Sequence, residues 1–197
     1  MKRMMTMFVG AIVIAGTLVL SGCGASFPDA PDSADASFPD APDSVGEEYP
    51  TSGVPVSVAW PSDWLEGFFG EANSPPGPLV GLRLEYVDDQ WVWRVRSLDP
   101  GRDEWGESVT EPDRGQEALY DASTLAVKQK RHVTLTEAEL ADLGVSAYAA
   151  AQLSGEVYPS PRLIELALIM QDGRPAWRIT TYDTETGLQS EVTVDAN

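Results

Sequence analysis

The chain has 197 residues, with 31 acidic and 13 basic side chains and a formal net charge of −18. That length allows one ordinary domain or two small ones, and the acidic balance argues against nucleic-acid binding, which needs a basic footprint. A single Cys and a single His exclude an internal disulfide and a Cys-rich zinc site, so we expect no metal and no cofactor. An exported binding or structural module is the leading class.

The first 22 residues have the pattern of a secretory signal peptide. Lys2 and Arg3 precede the apolar run Met7–Leu20, which as a helix would span about 21 Å, short of the roughly 30 Å hydrocarbon core of a bilayer. The run ends in Leu20-Ser21-Gly22-Cys23, which resembles the bacterial lipobox. The resemblance implies cleavage before Cys23, acylation of Cys23, and a lipid anchor on the extracytoplasmic face of the cell membrane. Two acyl chains anchor stably where one does not.

Residues 23–57 have the composition of a disordered linker. The segment Ala25–Ser33 recurs verbatim as Ala36–Ser44, and both copies are rich in Pro and Asp. Proline removes backbone donors and repeated Asp makes the chain self-repel, so we predict an extended spacer. The alternative is a short docking motif presented twice, at Phe27 and Phe38.

Residues 58–132 predict a helix followed by three strands. Asp63 could cap a short helix that carries an apolar stripe of Trp and Phe residues. Apolar and polar residues then alternate along Leu82–Tyr86 and Trp91–Arg96, with a turn at Asp88-Asp89 between them, and Glu117–Ala122 closes the unit.

Between the second and third strands lies a long connection, Pro100–Gly115, which contains Arg102, Trp105 and Arg114. These residue types are enriched where binding energy concentrates, so they are our candidate partner contacts. His132, in the basic run Lys128–His132, is a candidate general base, and the alternative is a solvated junction between two units.

Residues 133–197 predict a second helix-and-strands unit. Thr136 and Glu139 form a capping box, and an Ala-rich stretch from Ser146 ends near Gly155. Two strands follow around Asp172-Gly173, a dipeptide typical of a type I′ hairpin turn, and Leu188–Asp195 is a third strand. The predicted fold class is therefore α+β, with each helix packed on an antiparallel meander.

The two units share an internal repeat. Leu79–Asp99 aligns without gaps on Leu163–Asp183, and we interpret the match as a duplication. The recurrence of a Trp at one repeat position predicts that Trp93 and Trp177 are core residues. The identical pairs are Leu79/Leu163, Leu82/Leu166, Leu84/Leu168, Asp88/Asp172, Trp93/Trp177, Arg94/Arg178 and Asp99/Asp183.

The second unit resembles a PepSY domain, and the first does so more weakly. The resemblance is carried by an Ala-rich helix that ends in glycine, two paired strands, and a closing strand Val192-Thr193-Val194-Asp195-Ala196. It implies tandem PepSY-like units, no enzymatic activity, and an exported module that restrains a peptidase. The alternative is an envelope ligand sensor or cell-wall-associated binder, and the third interpretation is an unrecognised hydrolase. The expected partners are the membrane, through the lipid, and a peptidase or another envelope protein.

Overall fold

One antiparallel sheet forms the frame of the protein in the computed structural model, which describes residues 37–68, 74–101 and 111–197. Within these residues the sheet has seven strands in the order β4-β3-β2-β1-β5-β6-β7. The strands are β1 (Leu79–Val87), β2 (Gln90–Leu98), β3 (Arg114–Asp121), β4 (Val127–Thr134), β5 (Arg162–Gln171), β6 (Arg174–Tyr182) and β7 (Gln189–Asp195). The helices are α1 (Pro61–Trp64) and α2 (Ala147–Gln152).

The tight turns follow from local sequence. Asp88 and Asp89 have φ angles of 49° and 59°, and Asp172 and Gly173 have φ angles of 51° and 76°. A type I′ turn requires positive φ at both central residues, and Asp and Gly tolerate that conformation well. Both predicted hairpins, β1–β2 and β5–β6, are confirmed.

The α+β prediction is wrong, because the described chain is mainly β. The two meanders do not form separate units, since β1 pairs with β5 through Gly81–Arg83 and Glu165–Ala167 and joins them into one sheet. Such pairing satisfies backbone groups that two free strand edges would otherwise expose. The basic run expected to be a junction forms most of a fourth strand, β4, which pairs with β3.

The helices are shorter than the sequence pattern predicts. Helix α1 begins with Pro61 after Trp60, so Asp63 lies inside the helix and does not cap it. The Thr136–Glu139 capping bonds do form, with Thr136 N donating to Glu139 Oε2 at 2.8 Å, but the segment makes only a turn. In α2 the Ser146 hydroxyl accepts a bond from Ala149 N, and the positive φ of Gly155 follows the helix as predicted.

The helices cover one face of the sheet and enclose its apolar core. Trp93 and Trp177 are both 0% exposed, which confirms their predicted core role. Each indole N–H donates to a backbone carbonyl before a helix: Trp93 to Ala59 at 2.9 Å and Trp177 to Val145 at 2.8 Å. The two halves therefore use matching contacts, while the duplication itself stays a prediction.

Residues that the sequence analysis assigned to the disordered linker also pack on the sheet. The folded unit comprises Phe38–Asn197, so residues 38–57 belong to it. Val45 is buried, and the Tyr49 hydroxyl donates to Leu84 O at 2.8 Å. Since Leu84 lies beyond the short β1–β5 ladder, Tyr49 satisfies a carbonyl that this ladder leaves unpaired.

Candidate functional site on the arginine face

A cluster of ionisable side chains lies on the face opposite the helices. Successive strand residues point to opposite faces, so polar positions of the five adjacent strands β4, β3, β2, β1 and β5 share one surface. The register places Arg83 opposite Arg94, and Glu117 opposite both Arg96 and Arg131. We call this cluster the arginine face; its members are Arg83, Arg94, Arg96, Arg131, Glu85, Glu117, Glu139 and Glu165.

Arg94 is the centre of the arginine face and is 3% exposed. Its Nε and Nη2 donate to the two carboxylate oxygens of Glu85 at 2.8 and 2.9 Å, and its Nη1 donates to Glu117 Oε2 at 3.2 Å. Such a bidentate pair matches the planar guanidinium fork. Arg94 Nη2 also donates to the carbonyl of Pro39 at 3.0 Å, so all three guanidinium nitrogens have partners.

Glu117 joins three arginines. Besides Arg94, it accepts from Arg96 Nη1 at 3.1 Å and from Arg131 Nε at 2.8 Å. Burial by itself would raise the pKa of Glu117, but the charge of Arg94 and the hydrogen bonds and charge of Arg131 outweigh burial, and the pKa lies below its usual value. Glu117 is therefore a fixed negative charge at neutral pH.

Two further carboxylates complete the arginine face. Glu139, from the turn after β4, accepts from Arg96 Nε at 2.6 Å and Nη2 at 3.0 Å. Glu165 on β5 lies 3.6 Å from Arg83 Nε and accepts from the Thr180 hydroxyl at 3.1 Å. Each carboxylate of the cluster thus has at least one arginine beside it, which lets these charges be buried.

A proline-rich segment lies on this face. We call residues 38–44 the proline segment; it is the second copy of the repeated Pro/Asp sequence, without its first two residues. The Phe38 ring is 4.2 Å from Arg131 Cζ and 5.2 Å from Arg94 Cζ, within the range of cation–π contacts. Arg83 Nη1 donates to Pro42 O at 2.8 Å, as Arg94 does to Pro39 O. The arginine face therefore contacts the proline segment through one aromatic ring and two carbonyls.

Of the three predicted contact residues, Arg114 alone belongs to the described part of the chain, and it is not a member of the arginine face. Arg102 and Trp105 lie outside the described residues, as does Cys23. Arg114 begins β3, where its Nε donates to Asp99 Oδ2 at 3.2 Å and its Nη1 lies 3.6 Å from Glu111. The structure therefore places Arg114 at the base of the long connection and engages it in local ion pairs.

His132 lies beside Arg114 and Asp99. Its Nδ1 is 3.3 Å from Asp99 Oδ2, and its Nε2 is 3.1 Å from Arg114 Nη2. Since Arg114 can only donate, Nε2 acts as the acceptor and Nδ1 carries the proton. The lone pair that a general base would use is already engaged, so this geometry favours a structural role.

The sequence analysis missed the arginine face. The available signal was charge of both signs at the polar positions of adjacent strands, at Arg83, Glu85, Arg94, Arg96 and Glu117. These positions have the alternation of a strand with one face in water. The sequence does not show that these side chains are largely buried, because their burial depends on the packing of the proline segment and on the ion pairs among the side chains themselves.

Within the described parts of the chain, no group of three or more His, Cys, Asp or Glu side chains is arranged to hold a metal ion. The same residues contain no helix with the length and apolar character that a membrane crossing requires.

Comparison with known proteins finds little similarity. No family model matches the chain, so the PepSY resemblance has no support from that comparison, and no curated protein matches it. A solved structure of a candidate lipoprotein from Clostridium difficile 630 is 15% identical, covers 60% of this chain and 83% of its own, and has a TM-score of 0.30. A score this low carries no argument about fold or function.

Proposed function

We propose that this protein is a lipid-anchored, non-catalytic binding protein on the outer face of a bacterial membrane. The observation that carries the proposal is Leu20-Ser21-Gly22-Cys23 directly after a basic start and a 14-residue apolar run. Cleavage before Cys23 removes two basic residues and no acidic one, which changes the net charge from −18 to −20. An anionic membrane surface repels such a chain, so attachment requires the lipid.

The binding role is supported by the arginine face. Its charged groups pair with one another and with a peptide segment, and the lowered pKa of Glu117 keeps that carboxylate ionised, so it has no proton to donate near neutral pH. These are properties of a recognition surface rather than of a catalytic acid or base, whose pKa lies near the working pH. Restraint of a peptidase is the finer form of this proposal and rests on the sequence resemblance alone.

Substitution of the lipidated residue tests the anchor. In the native bacterium, the wild-type protein should sediment with membranes, and its N-terminal peptide should carry the mass of acyl chains on Cys23. Cys23→Ser should abolish the acyl mass and leave either an uncleaved precursor or a released protein, because no thiol remains to be acylated. Ser26→Ala is the matched control, since it lies beyond the cleavage point and keeps Cys23.

Two results would contradict the anchor. One is a wild-type protein whose Cys23 is a free thiol by mass spectrometry. The other is Cys23→Ser protein that is cleaved and membrane-bound to the same extent as the wild type. A pull-down from native membranes with the wild type, compared with Cys23→Ser as the variant without the anchor, would identify the bound partner, and a captured peptidase could then be assayed for inhibition.

A further inference from the structure

The peptide that occupies the arginine face has an identical copy elsewhere in the chain. Residues 25–33 and 36–44 have the same nine-residue sequence, offset by eleven positions. The second copy lies on the arginine face, with Phe38, Pro39 and Pro42 partly buried and Asp40 and Asp43 exposed. The side of the peptide that touches the protein therefore consists of an aromatic ring and proline backbone, and its acidic side faces water.

The contacts that the proline segment makes with Arg83, Arg94 and Arg131 are all available to the first copy. Phe27 supplies the same ring, and Pro28 and Pro31 supply the same two carbonyls. Arg94 and Arg83 donate to backbone carbonyls and Arg131 contacts an aromatic ring, and these groups are chemically identical in both copies. The arginine face therefore has no direct means of distinguishing the two copies.

Chain connectivity allows either copy to bind. Val45, which follows the second copy, is buried, and its carbonyl accepts from Gln189 Nε2 at 2.9 Å. With Val45 held in place, binding of the first copy leaves the eleven residues Ala34–Ser44 as a loop. Loop closure costs entropy that grows only slowly with length, so the second copy is favoured and the first remains competitive.

We propose that the arginine face is a peptide-binding site with two alternative occupants, residues 25–33 and residues 36–44 of the same chain. Exchange between them changes the length of free chain between Cys23 and the bound Phe from fourteen residues to three. Fully extended, these lengths correspond to about 50 Å and about 10 Å. Given the proposed lipid anchor, the exchange sets how far the folded unit stands from the membrane; the binding itself does not depend on the anchor.

Paired substitutions test the exchange in solution. The protein is the chain from residue 23 with Cys23→Ser, carrying Phe27→Ala, Phe38→Ala or both, and the readout is the NMR signal of the Arg131 side-chain N–H, which the ring current of the bound Phe shifts. Phe38→Ala should keep the shifted signal because the first copy replaces the second. The matched control Phe27→Ala should leave it unchanged, and only Phe27→Ala/Phe38→Ala should lose it.

A labelled peptide of sequence Ala-Ser-Phe-Pro-Asp-Ala-Pro-Asp-Ser provides a second measurement. It should bind the double variant, and it should bind the parent chain at least about tenfold more weakly because a tethered copy occupies the site there. The same peptide with Phe replaced by Ala should bind neither protein, since it lacks the ring that contacts Arg131.

Each outcome decides the proposal. If Phe38→Ala loses the shifted signal as completely as the double variant, or if the labelled peptide does not bind the double variant, the proposal is wrong. If the double variant unfolds while Phe38→Ala remains folded, exchange is supported, and equal unfolding of both refutes it. Dimerisation of Phe38→Ala with rising concentration would assign the replacement to a neighbouring molecule and overturn exchange within one chain. All proteins in these experiments carry Cys23→Ser and therefore have no lipid. A failure of the exchange proposal can thus be told apart from a failure of the anchor proposal.

Discussion

Substitution of Glu117 tests whether the buried charge network stabilises the fold. Glu117→Gln keeps one acceptor oxygen but places an amide N–H2 group against arginine donors. Removing one partner from a buried ion pair typically costs 3–5 kcal/mol. The side chains of Arg96 and Arg131 are 26% and 38% exposed and can turn towards water, whereas that of Arg94 is 3% exposed and cannot. We therefore expect Glu117→Gln to lower the unfolding free energy by about 3 kcal/mol, the lower end of that range.

The assay is urea unfolding followed by tryptophan fluorescence, with Glu111→Gln as the matched control. Glu111 is also a carboxylate paired with an arginine, but its side chain is 61% exposed and lies 3.6 Å from Arg114. Exposed pairs contribute about 1 kcal/mol or less, so the control should lose little stability.

The pH dependence distinguishes lost charge from lost packing. The pKa of Glu117 is lower in the folded protein than its usual value of 4.5, so the native state binds fewer protons than the unfolded chain around that pH. The stabilisation is complete above the unfolded pKa and is lost as the pH falls through the folded pKa. The difference between wild type and Glu117→Gln should therefore shrink below about pH 4.5. A difference that stays constant on acidification, or a loss no larger than that of Glu111→Gln, would refute this account of the network.

The remaining predictions concern the buried aromatic residues. Trp177→Ala should lower the unfolding free energy by about 3–5 kcal/mol, and Trp177→Phe by less, because the ring is largely retained and only the bond to Val145 O is lost. Equal losses for the two variants in urea would show that the hydrogen bond, not the ring, is decisive. Burial raises the pKa of Tyr120 to about 12, so the folded protein holds this proton more tightly than the unfolded chain does. The contribution of Tyr120 to the unfolding free energy should therefore be fully present below about pH 10 and should be lost as the pH rises towards 12. Tyr120→Phe should make that alkaline fall shallower, and an unchanged slope would contradict the assignment.

Local sequence was enough to predict several elements of this protein. The hairpin turns at Asp88-Asp89 and Asp172-Gly173 depend on residues that tolerate positive φ, and the strands beside them depend on alternation within a few residues. The core positions of Trp93 and Trp177 followed from their recurrence in strands of the same pattern. For the hairpins, the determining interactions lie within a short stretch of chain.

The fold class and the candidate site were decided by tertiary structure. The separate units became one sheet because β1 pairs with β5, a contact between residues about 80 positions apart that no local pattern encodes. Strand β4 alternates between exposed and partly buried residues and has no apolar face, so its place depends on the free edge of β3. Arg94 and Glu85 have the sequence pattern of solvated strand positions. They are buried because Glu117 and the carbonyl of Pro39 arrive from distant segments, and a charge can leave water only where such partners meet it.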